Sequence, residues 1–161
     1  MPFPVDGIIS GGQSGADRAA LDVALALGIP AGGWCPAGRR AEDGVIAARY
    51  PLTETRSPTH SVRTRRNVRE ADGTLVFNLG ALDGGTLLTV AYATQRGKPC
   101  LLVQLDDSRH PDVAAVRAWL AANAIRVLNV AGPRESKRPG IYGGVRGFLE
   151  GVLAWRVSVI N

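Results

Sequence analysis

Short apolar runs alternate with helical patterns along almost the whole of this chain. Five runs have the length of β-strands and are flanked mostly by Gly, Pro or Asn; they cover residues 7–10, 30–34, 73–79, 100–105 and 126–130. Strands that alternate with helices form a parallel sheet, because a parallel connection has to cross over through a helix. The alternation predicts an α/β fold with three layers, in which a mostly parallel sheet carries helices on both faces.

Five helical patterns fill the intervals between these runs. They cover residues 17–27, 61–71, 86–95, 111–123 and 142–155. Asp17 is predicted to be the N-cap or a first-turn acid of the first helix, and Thr59 or Ser61 to cap the second. In such a fold the ligand lies at the carboxyl ends of the strands, where the loops that enter the helices meet.

Length and composition predict one domain. The chain has 161 residues, 45% of them hydrophobic, enough for a core that buries about 70% of the unfolded surface. We expect residues 1–161 to form a single domain. Two cysteines, Cys35 and Cys100, are too few for a disulfide framework. No export leader and no apolar run of about 18 residues is recognisable, so we expect a cytoplasmic protein with no membrane partner.

Positive charge is concentrated in one part of the chain. The net charge is +5, and residues 39–70 contain eight arginines against four acids. Such a surplus attracts anions, either nucleic acid or a small phosphorylated molecule. Aromatic residues make up only 6% of the chain, and none interrupts residues 63–69, so the stacking surfaces of a single-strand binder are missing. Nucleic acid is therefore the less favoured partner.

Residues 8–18, IISGGQSGADR, join a strand to a helix through a glycine-rich turn. Backbone N–H groups in such a turn point toward the helix N-terminus and form an anion site. The predicted binding residues are Gly11, Gly12, Gln13, Ser14, Gly15 and Asp17. A tight connection without a ligand is the alternative. The stretch matches neither GxxxxGK[ST] nor GxGxxG, which counts against an ATP-type P-loop and a dinucleotide site.

Residues 80–86, GALDGGT, leave a later strand and enter a helix in the same way. Parallel strands bring their carboxyl ends to one edge of the sheet, so this turn should flank the same crevice as the first. Gly84, Gly85 and Thr86 are therefore predicted to bind the same anionic ligand. Asp-Gly is also a common turn dipeptide, so a purely structural turn is the alternative.

Two further polar segments follow predicted strands. Residues 37–44 contain Arg39, Arg40, Glu42 and Asp43. The two guanidinium groups could bind phosphate or carboxylate, and the two carboxylates could accept hydrogen bonds from a heterocycle. An exposed, solvated loop is the alternative. Residues 134–138, RESKR, come after the fifth apolar run. We expect them to form either a third ligand loop or a subunit contact.

The sequence contains no recognisable catalytic or metal-binding set. His60 and His110 have no second His or Cys at metal-ligand spacing and are expected at the surface. Cys35 could contact a ligand, but a buried apolar role is the favoured interpretation. With no Ser, His and Asp arrangement and no nucleophile elbow, no catalytic residue is predicted.

Several stretches, taken as an ordered set, resemble the molybdenum carrier protein family. They are SGGQSGADRAALDVAL, GGWCPAGRRAEDG, YPLTET, RTRRNVREADGTLVF, DGGTLLT and LNVAGPRESKRPGIY, and they span almost the whole chain. The family belongs to a Rossmann-like superfamily that includes the cytokinin-activating phosphoribohydrolases. The resemblance implies a Rossmann-like fold, assembly into homodimers or homotetramers, and the binding and protection of molybdenum cofactor, a pterin dithiolene with a terminal phosphate.

The resemblance also implies roles within the site. The two glycine-rich turns would hold the phosphate or oxo groups through backbone amides. Arg39, Arg40 or Arg66 would add positive charge, and Asp17 or Asp43 would hydrogen-bond to the pterin.

One motif separates this chain from the phosphoribohydrolases. Those enzymes carry PGGxGTxxE, of which this chain keeps Gly85 and Thr86 but has Thr89 in place of the glutamate. A catalytic carboxylate is therefore missing from its usual position. Three functions stay open in order of preference: a cofactor carrier, a nucleotide-binding protein or nucleoside-monophosphate hydrolase, and a DNA-binding module.

Overall fold

A five-stranded parallel sheet lies at the centre of the computed structural model, which describes residues 3–154. The strands in chain order are β1 (Gly7–Ile9), β2 (Ala31–Gly32), β3 (Trp34–Cys35), β4 (Arg40–Ala41), β5 (Gly44–Val45), β6 (Thr53–Glu54), β7 (Gly73–Asn78), β8 (Cys100–Gln104) and β9 (Val127–Ala131). The central sheet has the order β2-β1-β9-β7-β8, and all its neighbouring strands are parallel. All five predicted strands contribute to it.

Within residues 3–154, five helices connect these strands. They are α1 (Ala16–Leu27), α2 (His60–Glu70), α3 (Gly84–Gln95), α4 (Val113–Ala122) and α5 (Ile141–Leu153). Asp17 lies in the first turn of α1 behind the N-cap Gly15, and Thr59 is the N-cap of α2 without a side-chain hydrogen bond. The predicted end of the last helix, Trp155, lies outside the described residues.

Helices cover both faces of the sheet, as a Rossmann-like α/β fold requires. The main apolar core lies on the face that carries α1, α4 and α5, and it includes Leu75 and Phe77 of β7. Because side chains alternate along a strand, Thr74 and Asn78 lie on the other face, beside α3. Asn129 is paired with Thr74 in register, and all three polar residues are buried. The predicted three-layer class is confirmed.

The predicted strand at residues 30–34 is in fact two strands that belong to different sheets. The chain turns at Gly33, where φ is 125° and a Cβ would lie 2.3 Å from the Ser10 carbonyl oxygen. β3 then pairs with β6 in a separate two-stranded sheet. The predicted loop at residues 37–44 is also partly regular, because β4 and β5 form an antiparallel hairpin.

A second, smaller apolar cluster lies beneath this hairpin. It consists of Leu21, Cys35, Ile46 and Tyr50. Cys35 is fully buried, and it and Cys100 are both free thiols. Among residues 3–154, no helix combines the length and apolarity needed to cross a membrane.

Candidate functional site

A cavity of about 310 Å³ lies at the carboxyl edge of the central sheet. Four segments line it: the turn after β1 (Gly11, Gln13, Asp17), α2 (His60, Ser61, Arg63, Thr64, Asn67), the start of α3 (Gly85, Thr86, Leu88, Thr89), and the end of β9 with its following loop (Asn129, Val130, Ala131, Gly132, Pro133, Arg134, Lys137). Residues from both glycine-rich turns and from the loop at 134–138 therefore meet at one place.

Gly11 provides the space for an arginine. A Cβ at this position would lie 1.4 Å from Nη1 and 2.5 Å from Cζ of Arg63. Gly11 does not have a positive φ, so what the structure requires here is the missing side chain and not an unusual backbone conformation. The guanidinium of Arg63, on α2, occupies the space that a side chain at position 11 would fill.

Arg63 forms a buried ion pair with Asp17. Nη1 of Arg63 donates to Oδ2 of Asp17 at 2.9 Å, and the backbone N–H of Gln13 donates to the same oxygen at 3.3 Å. The side chains of Arg63 and Asp17 are 13% and 4% exposed. Burial raises the pKa of the Asp17 carboxyl, and the neighbouring Arg63 opposes this rise without cancelling it. Nε of Arg63 is buried and has no hydrogen-bond partner among residues 3–154.

The first turn of α3 forms another wall of the cavity. Its first residue, Gly84, has a φ of 55°, and Gly85 and Thr86 line the cavity directly. Apart from its chain neighbours and the backbone of α3, no heavy atom of residues 3–154 lies within 4 Å of the position that a Cβ on Gly85 would occupy. The N–H groups of a helix's first turn have no acceptors within the helix, and they carry partial positive charge. This wall therefore offers donors to an anion.

Lys137 adds a positive charge beside that turn. Its Nζ is 2.7 Å from Oδ1 of Asp83, and this hydrogen bond lowers the pKa of the Asp83 carboxyl. A Cβ on Gly84 would lie 2.6 Å from the same Nζ. The ammonium therefore lies directly against the start of α3.

Glu42 connects three segments around the cavity. Its carboxylate accepts hydrogen bonds from the hydroxyl of Ser14 and from the backbone N–H and hydroxyl of Ser136, and it forms an ion pair with Arg134, whose Nε lies 3.2 Å away. Its own N–H donates to the side-chain oxygen of Gln13 at 2.8 Å. Burial raises the pKa of the Glu42 carboxyl, but the bonds from Ser136 and Ser14 outweigh it and leave the pKa lowered. The hairpin thus clamps the first turn to the last loop.

Arg39 lies outside the cavity and stabilises the backbone of its own loop. Its Nε and both Nη atoms donate to the carbonyl oxygens of Ile46, Ala47, Tyr50 and Leu52, at 2.8–3.1 Å. All three nitrogens are therefore committed to backbone acceptors. The guanidinium therefore holds the backbone of residues 39–52 together. Arg39 is not among the residues that line the cavity.

Two other arginines of the predicted site also lie outside the cavity. Arg40 is an exposed residue of β4. The guanidinium of Arg66 stacks on the ring of Trp34, 3.7 Å from its centroid, and lies 3.8 Å from the Glu70 carboxylate. Neither lines the cavity.

Three predicted residues line a second cavity, of about 430 Å³, behind the first turn. They are Ser14, Gly15 and Asp43. Asp43 accepts two hydrogen bonds from the guanidinium of Arg18, at 2.9 and 3.1 Å, and these lower the pKa of its carboxyl. Every carboxylate of this cavity accepts hydrogen bonds from the protein itself.

Gly12 lies against the second apolar cluster. Its φ is 79°, and a Cβ would lie 2.4 Å from Cδ1 of Leu52 and 3.0 Å from Cδ1 of Ile46. Its carbonyl oxygen accepts two hydrogen bonds from Arg18. A side chain at Gly12 would therefore disturb the second apolar cluster and not only a ligand.

Sequence reasoning did not assign Arg63, His60 or Asn129 to the predicted site. Arg63 was one of several arginines on a charged helix, and only the approach of α2 to Gly11 distinguishes it. Asn129 carried a usable signal, since it is a polar residue inside an apolar strand, VLNVA. His60 lies at the first position of α2, where burial and the nearby Arg63 lower its pKa.

The cavity lacks an evident set of metal ligands. Within the part of the chain that the structure describes, no three residues among His, Cys, Asp and Glu are grouped closely enough to hold a metal ion. The arrangement of amides, three cationic side chains and one buried carboxylate is suited to binding an anion.

Comparison with known families places the chain within the Rossmann-like proteins. The model of the family described as "Circularly permutated YpsA SLOG family" matches residues 8–153. The chain therefore belongs to this circularly permuted YpsA family of SLOG proteins. No curated protein matches it significantly.

A solved structure supports the same assignment. A crystal structure from Syntrophus aciditrophicus SB, named "Putative molybdenum carrier protein", is 46% identical to this chain and superimposes with a TM-score of 0.91. The match covers 94% of this chain and 97% of that one. The resemblance to molybdenum carrier proteins that the sequence motifs indicate is confirmed.

Proposed function

We propose that the protein binds and carries molybdenum cofactor, or a related phosphorylated pterin, without catalysing a reaction. The observation that carries this proposal is the cavity in which the first turn of α3, with its free N–H groups, meets Arg63, Arg134 and Lys137. Amides at a helix N-terminus and arginine guanidinium groups are the usual donors to phosphate. The name of the similar crystal structure supplies the chemical class of the cargo.

The residues present fit such a ligand on two counts. Nε of Arg63 is a buried donor without a partner, and the space beside Gly85 is open. The phosphate would bind at Gly85 and Thr86 next to Lys137, and Arg63 would take a second oxyanion or an oxo group. Arg39, Arg40, Arg66 and the second-cavity residues are not included in this proposal.

A nucleotide is the competing ligand, because the same amides suit its phosphate. Hydrolysis of a nucleoside monophosphate is less well supported, since Thr89 stands where the phosphoribohydrolase motif has glutamate. The Thr89 hydroxyl donates to the carbonyl oxygen of Gly85 at 2.9 Å. General acid-base groups contribute about 10²- to 10⁴-fold to such reactions, so turnover by that mechanism should be very slow.

The test is a thermal-shift and calorimetric titration of the protein under anaerobic conditions. Molybdenum cofactor, molybdate and adenosine monophosphate are compared, with a DNA oligonucleotide as a fourth ligand. A ligand present at about 100 times its Kd stabilises the folded state by about 2.7 kcal/mol. Stabilisation by the cofactor supports the carrier. A response confined to the nucleotide moves the protein to the nucleotide-binding class, and a response confined to DNA moves it to the nucleic-acid class.

Gly85→Ala is the variant that locates the ligand. Its φ is not positive and its surroundings are open, so the folded state should lose no stability and should gain up to about 1 kcal/mol from the higher helix propensity of alanine. Because Gly85 lines the cavity, an added methyl group there should weaken cofactor binding by tenfold or more. Gly147→Ala in α5, also without neighbours, is the control. Equal cofactor affinity in both variants would contradict the assigned phosphate position.

A further inference from the structure

Asp17 is the only carboxylate among the described residues that line the cavity. Its side chain is 4% exposed, and it lies among groups that attract anions. A bound anion would therefore come close to a buried negative charge. Such an arrangement is unfavourable unless one of the two charges is neutralised.

Arg63 is the residue that would interact with both a bound anion and Asp17. Nη1 is bonded to Oδ2 of Asp17, whereas Nε is buried without a partner among residues 3–154. An oxyanion in the cavity, which Arg63 lines, would compete with Asp17 for the single positive charge of the guanidinium. The second donor to Oδ2, the N–H of Gln13, is neutral and long at 3.3 Å.

We infer that Asp17 takes up one proton from solvent when an anion binds Arg63, so that occupation of the cavity and protonation of this carboxylate are coupled. The inference rests on the proposed anion site, and it adds that ligand binding at this site depends on pH. The proton adds to a carboxylate oxygen of Asp17, and no other bond is formed or broken. The resulting carboxyl group is neutral and no longer repels the ligand.

The surroundings of Asp17 favour this coupling. Burial already raises the pKa of its carboxyl in the free protein, and the main opposing influence is Arg63, with a smaller one from Arg18. An anion that draws on the charge of Arg63 weakens that opposition and raises the pKa further. Proton uptake is then largest at a pH above the pKa of Asp17 in the free protein and below its pKa in the complex.

The other charged groups at the cavity are accounted for. Arg134 pairs with Glu42, and Lys137 pairs with Asp83. His60 is the second group that could take up a proton, because an anion would also raise its lowered pKa. The experiment must therefore separate Asp17 from His60.

Titration calorimetry with molybdate and with molybdenum cofactor, in buffers of different ionisation enthalpy, counts the protons taken up. Molybdate is useful because it remains a dianion at neutral and alkaline pH and brings no proton of its own. We expect wild-type protein to take up close to one proton per ligand. Where uptake is complete, the affinity should fall up to about tenfold for each rise of one pH unit.

Three variants assign the proton. Asp17→Asn should abolish the uptake and flatten the pH dependence, whereas His60→Gln should leave both in place. Asp6→Asn is the matched control, because Asp6 pairs with Arg126 ahead of β1 and β9, at the opposite edge of the sheet.

If Asp17→Asn does not fold, the proton count of wild-type protein compared with that of His60→Gln decides the matter, because uptake that is kept in His60→Gln cannot come from His60. Binding without proton uptake would overturn the inference and leave the proposed carrier function intact. Uptake that persists in Asp17→Asn but disappears in His60→Gln would also overturn it. Failure of both molybdate and the cofactor to bind would overturn the anion site and this inference together.

Discussion

The role of Gly11 depends on the side chain that packs against it in the folded protein. As a sequence feature it belongs to a glycine-rich turn, for which a ligand contact is the natural prediction. In the structure the free space above Gly11 is filled by the guanidinium of Arg63, which in turn pairs with Asp17. The turn therefore carries a positive charge that none of its own residues supplies.

Gly11→Ala should displace that guanidinium. The new Cβ would overlap Nη1, and a flexible side chain can move aside, so the protein should fold with a loss of about 1 to 3 kcal/mol in unfolding free energy. Ligand affinity should fall by more than tenfold, because Arg63 no longer lies in its pocket. Chemical denaturation and calorimetry measure the two effects. Unchanged affinity would show that Arg63 takes no part in binding.

Arg39 yields a second prediction about a single residue. Its guanidinium reaches four carbonyl oxygens, which one ammonium group cannot do, so Arg39→Lys should lower the unfolding free energy by about 2 to 3 kcal/mol. Arg40→Lys, at an exposed position, should change it by less than about 0.5 kcal/mol. Urea unfolding of both variants is the measurement. Weaker ligand binding in Arg39→Lys at unchanged stability would support the phosphate contact expected from the sequence.

At the scale of elements, the β4–β5 hairpin organises the cavity without lining it. Glu42 reaches the first turn through Ser14 and the last loop through Ser136 and Arg134. The first turn and the last loop follow different strands of the sheet, and no short stretch of chain fixes the distance between them. The hairpin supplies that constraint through one carboxylate.

Glu42→Ala should release these segments from one another. The lost hydrogen bonds to a charged group correspond to about 2 kcal/mol of unfolding free energy. Amide hydrogen exchange should increase at residues 13–15 and 134–138. Asp43→Asn is the control, because Asp43 bonds to Arg18 and does not contact the last loop. Equal exchange in the two variants would contradict the clamp.

The clamp should also depend on pH in a defined direction. The pKa of Glu42 is lowered in the folded protein from its ordinary value of 4.5. Its contribution to stability is therefore complete above that value and is lost as the pH falls through the lowered pKa. Unfolding free energies measured across this acid range should show a loss in wild-type protein that is smaller in Glu42→Ala.

At the scale of the whole molecule, the topology explains why distant segments form one cavity. Parallel strands all present their carboxyl ends at the same edge, and the order β2-β1-β9-β7-β8 puts β1 and β9 side by side although they are far apart in the chain. The turn after β1 and the loop after β9 are therefore neighbours.

Self-association is a further expectation at this scale. The family resemblance implies a homodimer or homotetramer, and Leu87 and Leu88 of α3 are 46% and 36% exposed in one chain. Light scattering coupled to size-exclusion chromatography should give two or four times the chain mass of 17.0 kDa. A mass of one chain at micromolar concentration would contradict this expectation.

Local patterns in the sequence determined the elements of the fold. Helical spacing from Ala19 to Leu27 and the apolar run of β7 depend only on residues close in the chain. Such patterns predicted the parallel sheet, and they predicted to within two residues those helix bounds that lie in the described residues. The strand predicted at residues 30–34 was wrong in part. The contact between Gly33 and Ser10 that divides it joins residues far apart in sequence.

The sequence also predicted that the two glycine-rich turns lie at one edge of the sheet, because parallel topology alone determines where the strand ends meet. Only the tertiary structure decided which arginine reaches the cavity. Arg39 and Arg63 have the same chemistry and lie in similarly charged segments, but Arg39 is committed to its own loop while Arg63 packs over Gly11. The position of a long side chain depends on acceptors and space supplied by other segments, and these exist only once the chain has folded.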